Sequence, residues 1–240
     1  MIINTLSNIR SIKRLKNRLK SNLGYIAKLK TNYKCAKIWY GNDYGGFYIH
    51  PDILTKDSIV YSFGIGQDIS FDLDVIKNHD CQVFGFDPTP KSIAWVEEQN
   101  FPSNFQFEGI GIGKVTEKAK FNLPKNDEFV SGSLYIHDFV DKSNYIEVQL
   151  LSFQDITQRF KHKYIDIVKM DIEGAEYDAI DNILSSEVPI KQILLEIHER
   201  FFEDGKSKTE KLLEKFQERG YRLFAISDSY QELSFINLTI

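Results

Sequence analysis

Val60-Tyr61-Ser62-Phe63-Gly64-Ile65-Gly66-Gln67-Asp68 carries an apolar, aromatic run directly into two closely spaced glycines. Such a run favours a strand. Glycines at its end permit a tight turn, through which the backbone approaches a ligand while the next helix offers its N-terminal amides. A purely structural turn would use the same residues, so the next strand matters. It ends in Phe86-Asp87-Pro88, and Asp87 follows Gly64 by 23 positions. In nucleotide-binding α/β sheets an acid at about that spacing reaches a ribose. The competing role for Asp87 is to cap a helix beginning near Lys91.

Outward from this pair, short apolar runs alternate with helical stretches, the pattern of parallel βαβ units. Strands are predicted over 58–64, 82–87, 105–112, 165–172 and 192–198, and helices over 69–78, 91–100, 175–184 and 207–219. The last helix stops at Gly220, a good C-terminal cap, and is followed by runs at 221–226 and 232–237 that read as an antiparallel hairpin. The expected fold is therefore α/β: a Rossmann-like, mostly parallel sheet with helices on both faces and an antiparallel C-terminal hairpin. Between 113 and 164 the order is less regular. Runs at 118–123, 133–136 and 147–150 read as short strands, either an insertion over the substrate side or a surface hairpin. Ser152 should cap a helix through Phe160, with Asp155 completing an imperfect capping box.

The 240 residues suffice for one sizeable core, and 42% hydrophobic with 27% charged residues excludes a largely disordered chain. No apolar run approaches the roughly 20 residues needed to cross a bilayer. No secretory signal is evident either, so a cytoplasmic location is expected. Cys35 and Cys81 lack metal-binding or disulfide spacing and read as incidental thiols. The net charge of -4 conceals an asymmetry. Residues 1–42 hold ten Lys/Arg and no Asp/Glu, whereas the remainder carries 20 basic against 34 acidic residues. We therefore expect a basic N-terminal helical extension over 1–42 and a catalytic domain over 43–240. Ile3, Leu6, Ile9, Ile12, Leu15, Leu19, Leu23 and Ile26 fall on one helical stripe, with Arg10, Lys13, Arg14, Lys16, Arg18 and Lys20 on the other faces. Residues 1–30 could then lie on an anionic membrane or dock on protein. A nucleic-acid partner is not expected, because no reader motif accompanies the charge. Oligomeric state is not legible.

Two ligand classes suit a glycine turn with a ribose acid. A dinucleotide fingerprint requires a third small residue to admit the pyrophosphate, but bulky Ile69 stands there. That disfavours an NAD-dependent oxidoreductase and favours an adenosyl ligand without phosphates. A non-catalytic binding module on the same fold is the remaining alternative.

The most distinctive segment is Val168-Lys169-Met170-Asp171-Ile172-Glu173-Gly174-Ala175-Glu176. Here the chain resembles the FkbM-like methyltransferases, which typically show K-x-D-x-E-G-x-E at this place. The glycine turn, Phe86-Asp87-Pro88 and Leu195-Glu196-Ile197-His198 extend the resemblance over about residues 58–237. It implies a class I methyltransferase fold, S-adenosylmethionine as donor, and transfer usually to a hydroxyl oxygen of a small molecule, sugar or lipid-linked saccharide. By position it places Gly64 and Gly66 near the donor's methionine part, Asp87 with Pro88 on the ribose, Gly109, Ile110 and Gly111 near the adenine, and Asp171 at the floor of the cleft. Ser62, which stands where the family commonly has an acid, is expected by position among the donor-binding residues, with Asp68 or Asp171 substituting for that acid in holding the donor's amino group. His198, at a strand's C-terminal end, is the candidate general base, with Asp171 and Glu173 next. A metal is not expected, because alternate strand residues face opposite ways and Glu176 is placed to cap a helix.

Overall fold

The structure, a computed structural model, describes residues 2–125, 132–138 and 140–240, with the backbone alone for 2–11. The chain begins with α1 (Ile2–Asn22), then a hairpin of β1 (Ile38–Tyr40) and β2 (Phe47–Ile49). The alternating units follow: β3 (Ile59–Phe63), α2 (Ser70–His79), β4 (Gln82–Phe86), α3 (Pro90–Glu97) and β5 (Phe105–Glu108). Next come β6 (Gly111–Gly113), β7 (Glu117–Pro124), β8 (Val140–Ser152) and α4 (Phe153–Phe160). The chain closes with β9 (Ile165–Met170), α5 (Glu176–Leu184), β10 (Ile190–Glu196), α6 (Gly205–Glu218), β11 (Tyr221–Ile226) and β12 (Glu232–Asn237).

The central sheet has the order β11-β12-β10-β9-β3-β4-β5, with β12 antiparallel to both neighbours and the other pairs parallel. From β3 the chain winds outward through β4 to β5, then returns to add β9 and β10 on β3's other side. That reversal opens a crevice at the carboxyl ends of β3 and β9, where open α/β sheets bind ligands.

Strand alternation divides the core into two layers. Tyr61, Phe63, Phe84, Phe86, Val168, Met170, Ile193 and Leu195 face one side, with Phe153, Ile180 and Phe216 from the helices. Val60, Val83, Ile167 and Leu194 face the other, with Phe71 and Val75 of α2 and Phe47 of β2. Both faces are apolar, as a covered parallel sheet requires. Local caps fix the helix starts. Thr89 accepts from the Ser92 amide ahead of Pro90, and Ser152 accepts from the Asp155 amide. The capping box at Ser152 is indeed incomplete, because the Ser152 amide donates to Thr116 Oγ1 rather than to Asp155.

Three expectations require correction. The strand expected over 105–112 is broken at Gly109 and Ile110: β5 pairs with β4, whereas β6 leaves the sheet to pair with β8. β8, β7 and β6 form a separate three-stranded sheet, in which Ser133 makes only an isolated bridge to Asn122 rather than a strand over 133–136. The boundary at residue 42 falls inside the β1–β2 hairpin, since β1 pairs Ile38 with Ile49 and Tyr40 with Phe47. The helical part of the extension ends at Asn22.

α1 touches the domain through its polar side. Arg14 pairs with Asp228 at 3.1 Å, and the Asn17 amide donates to the carbonyls of Asp228 and Ser229. Its apolar stripe faces outward: Ile12 is 66%, Leu15 58% and Leu19 53% exposed. Side chains of the stripe members Ile3, Leu6 and Ile9, and of Arg10, lie outside the described residues. No described helix is long and apolar enough to cross a membrane.

Candidate active site

The glycine turn is shaped by close approach. Gly64 has φ 74°, donates its amide to Phe86 O at 2.8 Å, and leaves so little room that a Cβ would sit 1.7 Å from Asp171 O. Gly66, at φ 55°, is the opposite case: a Cβ there would meet nothing within 4 Å. Its amide donates to Asp87 Oδ2 at 2.9 Å, while Asp87 Oδ1 accepts from the Thr89 amide and hydroxyl. Gly64, Gly66, Asp87, Pro88 and Thr89 all line one cavity of about 530 Å³. The two features read separately in the sequence therefore share a single pocket.

Asp68 also borders this cavity, where it accepts from the Ser70 amide and the Asn42 side chain and so ties the β1–β2 turn to the mouth. Ser62, Gly109 and Ile110 do not line it; of the run 109–111 expected there, Gly111 alone does, joined by Ile112. The cause is the break after β5, which turns β6 rather than residues 109–110 toward Pro88. Ser62 is fully buried beneath the turn beside Asp72, whose carboxylate, among the described residues, has no hydrogen-bond partner of ordinary geometry. Burial pushes the Asp72 carboxyl up to about 6, against the opposing pull of the Lys169 ammonium. Lys169 in turn donates to Gly64 O at 3.2 Å, which links the lysine of the K-x-D-x-E-G segment to the glycine turn.

At the carboxyl ends of β9 and β10, acids gather around one imidazole. Asp171, Glu173 and Glu196 line the cavity; His198 lies beneath its floor at 1% exposure. His198 Nδ1 stands 3.1 Å from Glu176 Oε1, and the same oxygen accepts the His198 amide at 2.8 Å. The other edge of the ring, Nε2, stands 3.3 Å from Glu173, 3.7 Å from Asp171 and 3.7 Å from Glu196. Glu176 also accepts from the Gly174 amide in the turn just before α5; α5 has no side-chain cap, so Glu176 does not take the capping role expected of it but ties this turn to the histidine. Burial opposes a charged imidazole, but Glu176 with Glu173 outweighs it and raises the His198 pKa well above the ordinary range. Burial, reinforced by Asp171, pushes the Glu196 carboxyl up to about 9. Asp171 is raised by burial against the pull of Lys169 and His198. Glu173 adopts φ 51°, an uncommon conformation for a residue with a side chain, and its carbonyl is held by Ser133 Oγ at 2.6 Å.

Sequence reasoning missed Thr89, Lys169, Glu196, Arg200 and Tyr44 as cavity residues. Lys169 and Glu196 stood inside the segments already singled out and could have been read from them. Tyr44 reaches the mouth from the β1–β2 turn, for which the sequence offers no signal.

The strand order, and a glycine turn sharing a cavity with the acid of the next strand, define a class I methyltransferase fold. Residues 41–223 match the model of the methyltransferase FkbM domain, and the chain belongs to that family. Among curated proteins it is 25% identical over 201 residues to the human "Probable methyltransferase-like protein 24", covering 78% of this chain and 47% of that protein. The chain thus spans about half the length of the curated relatives it matches. Similar solved structures include the Methanococcus jannaschii fibrillarin pre-rRNA processing protein (11% identity, 88% of this chain and 86% of that one, TM-score 0.46). Another is M. jannaschii TYW2 in complex with AdoMet (12% identity, 86% and 89%, TM-score 0.38). S-adenosylmethionine is the donor that membership of this family implies, and the residues fit it. Gly66 leaves open the space a side chain would fill, and Asp87 offers carboxylate oxygens at the tip of β4.

Proposed function

We propose that this methyltransferase acts on a hydroxyl oxygen of a saccharide or lipid-linked acceptor. The observation that carries the reading is that the Gly66–Asp87 clasp and the acids Asp171 and Glu173 face one cavity. The bound donor supplies a sulfonium methyl group. Asp87 holds the ribose and the Gly64–Gly66 turn the methionine part, leaving the rest of the cavity toward β9 for the acceptor. Rate then depends on holding the acceptor oxygen about 3 Å from the methyl carbon, in line with the departing sulfur. The hydroxyl proton must also leave. Glu173, on the cavity wall and 3.3 Å from the imidazole, takes that proton; Asp171 orients the hydroxyl. Glu176 and His198 hold this acid pair from below, so His198 positions the base rather than serving as it.

The lipid-linked class is favoured by α1. Its outward stripe of Ile12, Leu15 and Leu19 is flanked by Lys16, Arg18 and Lys20, a face suited to an anionic membrane surface on the cytoplasmic side. Lys13 of the same helix borders the cavity, so a chain resting on the lipid would present its mouth to a membrane-borne acceptor.

Incubation with methyl-labelled donor and a panel of hydroxyl, amine and carboxylate acceptors tests the reaction class. Label should enter a hydroxyl as an ether and fall at least a hundredfold in Glu173→Gln with donor affinity retained. Label entering only nitrogen acceptors would refute O-methylation.

A further inference from the structure

We propose a divalent-cation site formed by Asp171, Glu196 and His198, whose open positions face the cavity and hold the acceptor's hydroxyl oxygen. The part concerning the acceptor rests on the methyl-transfer reading above; the site itself does not. One ligand atom from each of the three residues lies within 4.8 Å of the other two. His198 Nε2 is 3.7 Å from both Asp171 Oδ1 and Glu196 Oε1. An ion with bonds of about 2.0 to 2.3 Å to nitrogen and oxygen ligands sets its ligand atoms roughly 3 to 4.5 Å apart, so the three need little movement to close on one.

Two independent features point to a ligand rather than to a chance gathering of acids. The imidazole is buried, and Glu176, itself fully buried, grips both its Nδ1 and its backbone amide. A carboxylate behind Nδ1 directs the opposite nitrogen forward, the arrangement by which proteins orient metal-binding histidines. The second feature is charge. Among the described residues, neither Asp171 nor Glu196 makes an ion pair within 4 Å to a lysine or arginine, and His198 is the shared charged contact of both. Lys169, which donates to Gly64 O, and Arg200, which lies over the Phe201 ring, act on Asp171 and Glu196 only from beyond that distance. Two partly desolvated carboxylates facing one imidazole nitrogen form a cation-demanding site, and two oxygens with one nitrogen suit Mg(II) or Mn(II). Asp171 and Glu196 line the cavity, so coordination positions on that side are open to an acceptor, most tightly to a pair of neighbouring hydroxyls.

Mn(II) is the probe. Titrated into the full chain at constant pH and followed by calorimetry and by loss of the free-ion electron paramagnetic resonance signal, it should bind at one ion per chain. Glu196→Gln and Asp171→Asn, which keep side-chain shape, should each weaken binding at least tenfold while metal-free melting temperatures show both variants folded. No binding to the wild type, or equal binding by wild type and Glu196→Gln, would overturn the site and leave the imidazole as the nearest counter-charge of the two acids. S-adenosylmethionine binding is measured on the same metal-free protein. Intact donor binding without Mn(II) binding removes the cation site alone. Mn(II) binding that survives a failure of donor binding supports the site while removing the methyl-transfer reading.

Discussion

The Gly66 amide donates to Asp87 Oδ2 at 2.9 Å, a bond that joins the turn after β3 to the tip of β4 across the cavity. The same carboxylate takes two bonds from Thr89 at the start of α3. Asp87 therefore organises the pocket before any ligand arrives. Asp87→Asn keeps the shape and loses the charge. Donor affinity should fall roughly 10- to 100-fold, the usual worth of a hydrogen bond to a charged group. Donor titration of the two proteins, with melting curves alongside, checks this.

The two glycines should respond oppositely to alanine. At Gly64 the new Cβ meets Asp171 O at 1.7 Å on a left-handed backbone, so Gly64→Ala should cost about 3 kcal/mol of stability or more. At Gly66 the Cβ enters open space, so Gly66→Ala should cost only about 1 kcal/mol of backbone strain while obstructing the donor. Denaturant unfolding and donor titration on both variants separate the effects; equal stability losses would contradict the contrast.

Asp72 makes stability depend on pH. Its carboxyl is pushed up to about 6 by burial, so the folded chain retains a proton that the unfolded chain, with an ordinary carboxyl near pH 4, has already released. Stability therefore falls as pH rises from about 4 to about 6 and is level in this respect above that. Lys169 and Ser62 beside it favour the charged form, and Asp68 opposes it. Asp72→Asn should remove this slope. The wild-type minus variant unfolding free energy should drop by roughly 3 kcal/mol across the window; a flat difference would contradict it.

The outward stripe of α1 predicts composition-dependent binding to vesicles. Wild-type protein should float with vesicles containing an anionic phospholipid and remain behind with neutral ones. Leu15→Glu with Leu19→Glu should abolish flotation and leave the melting temperature nearly unchanged, since both leucines are more than half exposed. Flotation unaffected by the pair would exclude this face. Arg14→Ala, by contrast, removes one exposed pair with Asp228 and should shift stability by no more than about 0.5 kcal/mol.

The turn, the acid at the tip of β4 and the β9 segment were legible because each combines local chemistry with a fixed place in a βαβ unit. Val60 to Asp68 must turn where its apolar run ends, and Asp87 must stand at the next strand's tip. The break at Gly109 and Ile110 was not legible, because only pairing of Gly111 with Leu150, distant in sequence, draws β6 out of the main sheet. His198 was correctly placed at a strand end, but its burial depends on Glu176, whose reach across to β10 is a tertiary fact. Ser62 was assigned to the cavity by position in the motif, and strand alternation turned it under the sheet toward Asp72 instead.

The most direct test of the central claim is calorimetric titration of S-adenosylmethionine into the wild-type chain and Asp87→Asn. The account predicts saturable binding of one donor per wild-type chain and markedly weaker binding by the variant. No heat from folded wild-type protein at millimolar donor, or equal affinity in both, would contradict it.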